Sequence, residues 1–116
     1  MSSAGGQKNY LDQLETMKED VGRRDPAFLA AWGEFSQQAK KPGAISYKTK
    51  ELMCVALSIA ARCGYCIATH VHKAIDNGAT REEIMEAGFV AVSMGGGPSL
   101  AYLAQVIEAC DEFGAR

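Results

Sequence analysis

Between Leu52 and Ala61 the chain carries Leu52, Met53, Val55, Ala56, Leu57, Ile59, Ala60 and Ala61, apolar at nearly every position. Wound into a helix, this segment has no strongly polar face and must be covered on all sides. It falls well short of the roughly 20 apolar residues of a membrane span, and Arg62 closes it. The segment predicts a central helix, roughly Tyr47 to Arg62, with Ser46 as N-cap. In a chain of 116 residues, full burial of one helix predicts that other subunits supply part of the cover.

The rest of the chain also reads as helix. Apolar residues recur at helical spacing, and strand-type alternation is nearly absent. Asn9 to Val21 places Tyr10, Leu14, Met17 and Val21 on one face, with Gly22 as the expected stop. Asp25-Pro26 opens a second helix, Asp as N-cap and Pro at the first helical position. Its aromatic face, Phe28, Trp32 and Phe35, reads as core. Lys40-Lys41-Pro42-Gly43 ends it. A fourth helix runs to Ile75 or Asp76 and stops at Asn77-Gly78. Thr80 to Glu83 form a capping box for a fifth helix that reaches Met94. Gly95-Gly96-Gly97 breaks the chain, and Pro98 starts a sixth helix. The glycine run lacks a preceding strand and a following Lys-Ser/Thr, so it is a helix–helix turn and not a phosphate loop. The expected fold is an all-α, single-domain bundle of about six helices over residues 9–116, after a flexible tail at 1–8.

Composition narrows the functional classes. A net charge of −2 gives no electrostatic reason to expect nucleic acid or a membrane surface as partner. The Ser/Gly-rich start lacks the apolar core of a signal peptide. Of four cysteines, Cys54 and Cys110 lie in apolar helical patterns and read as small core residues. Cys63 and Cys66 form a CxxC. This usage fits one reactive pair in the reducing cytoplasm better than a disulfide scaffold.

The chemistry concentrates in Cys63-Gly64-Tyr65-Cys66-Ile67-Ala68-Thr69-His70. On a helix starting near Cys63, positions 63, 66 and 70 share one face. A thiolate is the nucleophile, and a free cysteine of pKa about 8.5 is mostly protonated at neutral pH. A helix N-terminus and an imidazole one turn away both favour the anion. The i, i+4 spacing to His70 favours Cys66 as the activated thiol, whereas a thioredoxin-like arrangement would favour Cys63. A structural zinc site would need four ligands, and Cys63, Cys66, His70 and His72 supply the number. His70 and His72, however, point about 200° apart on a helix. His72 reads as a surface or subunit-contact residue. Glu51, leading into the apolar helix, is the candidate acid to orient His70.

The run from Glu51 to Gly97 resembles the carboxymuconolactone decarboxylase-like superfamily, and specifically its alkylhydroperoxidase D-like, CxxC-containing branch. That branch is marked by Glu, eleven residues, CxxC, three residues and His, here Glu51, Cys63, Cys66 and His70. The flanks Ser46 to Leu52, His70 to Ala74 and Gly78 to Ile84 are similar too. The resemblance implies an all-α fold assembling into homotrimers or homohexamers. It implies a thiol-dependent peroxidase or disulfide reductase in which Glu51 and His70 activate Cys66. Cys63 then closes a disulfide that an external dithiol reduces, with no metal, haem or flavin. One departure is Tyr65, where some members carry a second histidine. Tyrosine is a poor base at neutral pH, which puts fast peroxide turnover in question more than disulfide chemistry. The competing readings are a redox sensor without turnover and a lactone decarboxylase. The decarboxylase relatives generally do not rely on a CxxC.

Overall fold

Asp25, Ser46 and Thr80 each cap a helix, as their positions predict. Asp25 Oδ1 accepts from the Phe28 amide at 3.1 Å and Ser46 Oγ from the Thr49 amide at 3.1 Å. Thr80 and Glu83 form the reciprocal capping box. In a computed structural model describing residues 6–116, the chain is one all-α domain. Its helices are α1 (Gly6–Arg24), α2 (Pro26–Lys40), α3 (Tyr47–Ala60), α4 (Gly64–Asp76), α5 (Arg81–Gly95) and α6 (Gly97–Phe113). No strand occurs among the described residues.

The core lies where α3 to α6 meet. Val55 and Ile59 of α3, Ile67 and Val71 of α4, Ile84 of α5 and Val106 of α6 are fully buried there. Each such side chain contributes about 1.5–3 kcal/mol through burial. The turn between α5 and α6 rests on Gly96, whose φ of 67° is a left-handed conformation that a side chain would strain.

Three expectations need correction. First, residues 6–8 do not belong to the tail predicted for residues 1–8. Residues 1–5 lie outside the described chain, but Gly6 to Lys8 are helical and Gln7 is buried. Among the described residues of α1, no side chain caps its head. Glu112 of α6 does so instead, accepting from the amides of Gln7 at 3.0 Å and Lys8 at 3.2 Å. Second, Gly22 does not stop α1, which runs on to Arg24. An interior glycine costs a helix only about 1 kcal/mol. The extra turn is held by an Asp20–Arg24 pair at 2.7 Å and places Arg23 and Arg24 at the negative end of the helix dipole. Third, Phe28, Trp32 and Phe35 are not core: they are 66 %, 60 % and 66 % exposed, and α2 buries no residue at all. The apolar pattern of α2 is real, but α2 covers the bundle from outside.

The central helix is α3, as predicted, although it ends at Ala60 rather than Arg62. Within one chain its cover is incomplete. Met53 and Leu57 form an exposed strip, with Leu57 at 65 %.

Arg62 makes the corner between α3 and α4 with φ 55°, the only positive value at a non-glycine residue among those described. A side chain there costs about 1–2 kcal/mol. Arg62→Gly recovers part of that, offset by added freedom in the unfolded chain. A gain of about 0.5–1 kcal/mol in urea unfolding is expected; a loss would show that the Arg62 side chain makes a stabilising contact.

Candidate active site

The corner at Arg62 starts α4 at the CxxC. Cys63 is the N-cap of α4, and its sulfur accepts from the Cys66 amide at 3.1 Å. The two sulfurs lie at bonding distance, across a Cα separation of 5.2 Å. The first of the two residues between them must be small: a Cβ on Gly64 would stand 2.6 Å from the Tyr10 ring carbon Cζ. Tyr10 and Tyr65 meet edge to face at 4.9 Å, and the Tyr65 hydroxyl donates to Gln13 Oε1 at 2.9 Å. Tyr65 is therefore tied to α1 and docks that helix beside the CxxC.

One turn beyond Cys66, His70 faces α3. Its Nδ1 lies 2.7 Å from Glu51 Oε1, and Glu51 is fully buried. An ionised carboxylate only accepts, so Nδ1 carries the proton and Nε2 holds the free lone pair. The other carboxylate oxygen lies 3.7 Å from Lys40 Nζ. Lys40 is set there by the end of α2, where Lys50 Nζ donates to the Lys41 carbonyl at 2.6 Å and the Ala39 carbonyl at 3.3 Å. These bonds satisfy carbonyls that a helix C-terminus leaves open.

Burial alone would raise the pKa of Glu51. The hydrogen bonds from His70 and the Tyr47 phenol, the charge His70 carries when protonated and that of Lys40 together outweigh it and hold the carboxyl below its ordinary value. Burial and the same carboxylate push Tyr47 up to about 12. A lowered folded pKa contributes stability above the unfolded value near 4.5, and that stability is lost as pH falls through the folded value. Acidification from about pH 5 to 3 is therefore expected to lower the melting temperature of the parent chain more than that of Glu51→Gln. Parallel melting curves across that range would contradict the assignment.

Cys54 is not the plain core thiol its pattern predicts. It lines the cleft in front of Glu51, and Glu51, Cys54 and His70 offer ligand atoms within 4.8 Å of one another. Burial, then the Glu51 charge, raise its pKa, so Cys54 is a protonated thiol at neutral pH. The trio could approach a metal ion, but Lys40 stands beside the carboxylate and opposes a cation. His72 takes no part. It lies 3.4 Å from Asp76 and packs edge to face on Phe113 at 4.9 Å, consistent with the surface role expected of it. Cys110 is fully buried, as expected.

Cys66 and His70 both open on a groove of about 520 Å³ between α1, α2 and α4. Leu14 and Met17 form one wall, Trp32 and Phe35 the other. Sequence periodicity marked these aromatics as core; their place in a groove wall depends on how α2 folds back, which periodicity does not encode. Lys40, Lys73 and Cys54 were missed as site residues for the same reason.

Similarity to known proteins follows this arrangement. The family model described as "Carboxymuconolactone decarboxylase family" matches residues 26–109, which is α2 to most of α6. An uncharacterized protein of Cupriavidus necator is 29% identical over 108 residues, covering 93% of this chain and 96% of its own. A protein of the cox locus of Paracoccus denitrificans, also uncharacterized, is 39% identical over 88 residues, 76% of each chain. A solved apo structure of a carboxymuconolactone decarboxylase family protein from Legionella pneumophila superposes with a TM-score of 0.92 at 36% identity, covering 95% of this chain and 98% of that one. A Thermotoga maritima family member, for which a part in the antioxidative response has been suggested, gives a TM-score of 0.80 at 27% identity over 91% and 90% of the two chains. With the family model spanning most of the bundle and whole-chain superposition on its solved members, the chain belongs to the carboxymuconolactone decarboxylase family.

Proposed function

We propose that this protein is a thiol-dependent peroxidase using Cys63 and Cys66 as its redox pair. The observation that carries the reading is the Glu51–His70 pair at 2.7 Å beside a CxxC whose sulfurs lie at bonding distance. His70 Nε2 takes the Cys66 proton, and Glu51 stabilises the resulting imidazolium. The Cys66 thiolate attacks the peroxide O–O bond, giving a sulfenic acid and an alkoxide that takes the proton back from His70. The Cys63 thiol condenses with the sulfenic acid, forming the disulfide and releasing water. An external dithiol reduces the pair by exchange and is itself oxidised to a disulfide. Cys66 shares the groove with His70, which favours it as the attacking sulfur. The need for a dithiol places the protein in a reducing compartment such as the cytoplasm. No helix of the described chain is long and apolar enough to cross a membrane. The exposed Met53–Leu57 strip supports assembly into a homotrimer or homohexamer.

A second reading has its own observation. The N-cap position and the Cys66 amide stabilise a thiolate on Cys63, which suits attack on a substrate disulfide. Stopped-flow oxidation of the reduced protein by an alkyl hydroperoxide, with mass spectrometry of the product, separates the two. Rapid formation of the Cys63–Cys66 disulfide supports the peroxidase. Oxidation at the rate of an ordinary thiol, with fast reduction of a disulfide substrate, would replace it by the reductase.

A further inference from the structure

The groove in front of Cys66 is cationic in a chain that is acidic overall. The sequence holds 14 Asp and Glu against 12 Lys and Arg. Yet the ionisable groups lining this groove include Lys18, Lys40 and Lys73 and no carboxylate. Lys40 and Lys73 also line a second cleft of about 370 Å³ that adds Lys41 and again contains no acid. Glu51 neutralises part of this charge from behind, through Lys40 at 3.7 Å. Lys73 has no salt bridge among the described residues. Burial, then the Lys40 charge, lowers its pKa, and the Glu51 charge offsets this only in part.

The groove that holds these ammonium groups and the reactive sulfur is also lined by apolar side chains. Lys73 follows Cys66 by seven residues on α4, about 10 Å along the helix. Trp32 and Phe35 touch, with ring centroids 5.9 Å apart, and form one apolar wall of the groove opposite Leu14 and Met17. A volume of about 520 Å³ is ample for a small organic molecule.

We propose that the substrate of Cys66 is a hydroperoxide bearing a carboxylate, with the acid held by Lys73 and Lys40 and the hydrocarbon in the groove between the Trp32–Phe35 wall and the Leu14–Met17 wall. This rests on the peroxidase reading for its chemistry, while the anion subsite stands on the lysines alone. The steps are those given above: the O–O bond breaks, one oxygen passes to the Cys66 sulfur, and the alcohol leaves with its carboxylate intact. Reduction again comes from the external dithiol.

The test compares cumene hydroperoxide with its para-carboxylate, each rate divided by that with free cysteine. The parent protein is expected to prefer the carboxylate at least tenfold in kcat/KM, as a charge-assisted hydrogen bond allows. Lys73→Gln should lower that preference about tenfold, and Lys73→Arg should restore it. Equal rates in the parent, or a preference that Lys73→Gln leaves intact, overturn the proposal. An independent arm titrates 4-isopropylbenzoate and cumene into Cys66→Ser protein, read by fluorescence of Trp32, the single tryptophan. Saturable binding of the benzoate, weakened by Lys73→Gln, keeps the subsite even if no peroxide reacts, and then only the peroxidase reading fails. No binding of the benzoate beyond that of cumene removes the subsite.

Discussion

Replacing His70 by Phe will slow Cys63–Cys66 disulfide formation with an alkyl hydroperoxide at pH 7 by about 100-fold or more. In the proposed mechanism the imidazole takes the Cys66 proton, and without it the thiol must ionise against water with a pKa of about 8.5. The defect should therefore shrink as pH rises toward 9, where the thiolate forms unaided. His70→Phe also leaves the fully buried Glu51 without its closest partner, so lost folding could imitate lost chemistry. His70→Gln is the control, since an amide still donates to the carboxylate but is no base. Both variants slow at pH 7 and both recovering at high pH identify the base. A His70→Gln protein as fast as the parent would remove His70 from the proton path. Cys66→Ser should form no intramolecular disulfide at any pH.

The second large effect is on the fold. Gly88→Val is expected to destabilise the domain by about 2–3 kcal/mol, lowering its melting temperature by about 10 °C. Gly88 is where α5 crosses α6 and α3. A Cβ there would stand 2.7 Å from Leu103 Cδ2 and 3.5 Å from Ile59 Cδ1. Leu103 is 93 % buried and Ile59 fully buried, so neither can swing into solvent. Against a typical stability of about 5–15 kcal/mol, the loss is a large share. Gly88→Ala should cost less, because the better helix propensity of alanine offsets part of the clash. An unchanged melting temperature for the valine variant would mean that α5 and α6 can separate at this crossing without loss.

Several features of this fold were legible because they are local. Caps at Asp25, Ser46 and Thr80 depend on a side chain reaching an amide three residues on, and all three form. The placement of Cys63, Cys66 and His70 on the first turns of one helix follows from spacing alone. Glu51 is different. Its position facing His70 was expected from resemblance to a family, since nothing in the spacing joins residues on separate helices. The misreadings share one cause. The start of α1 is made by Glu112, 105 residues away from Gln7, and no local signal announces it. Periodicity in α2 shows that one face is apolar but not what it meets, and it meets a groove and solvent.

The sequence by itself determined six helices, the stops of α2 and α4, and the run of thiol and imidazole at the head of α4, because capping, proline and glycine geometry and helical spacing act over a few residues. Only the tertiary structure decided that α2 leaves its aromatics beside Cys66, that Lys40 and Lys73 meet there, and that Cys54 joins Glu51 and His70. Those placements depend on the angles at which helices cross, and crossing angles are set by the summed packing of residues far apart in the chain.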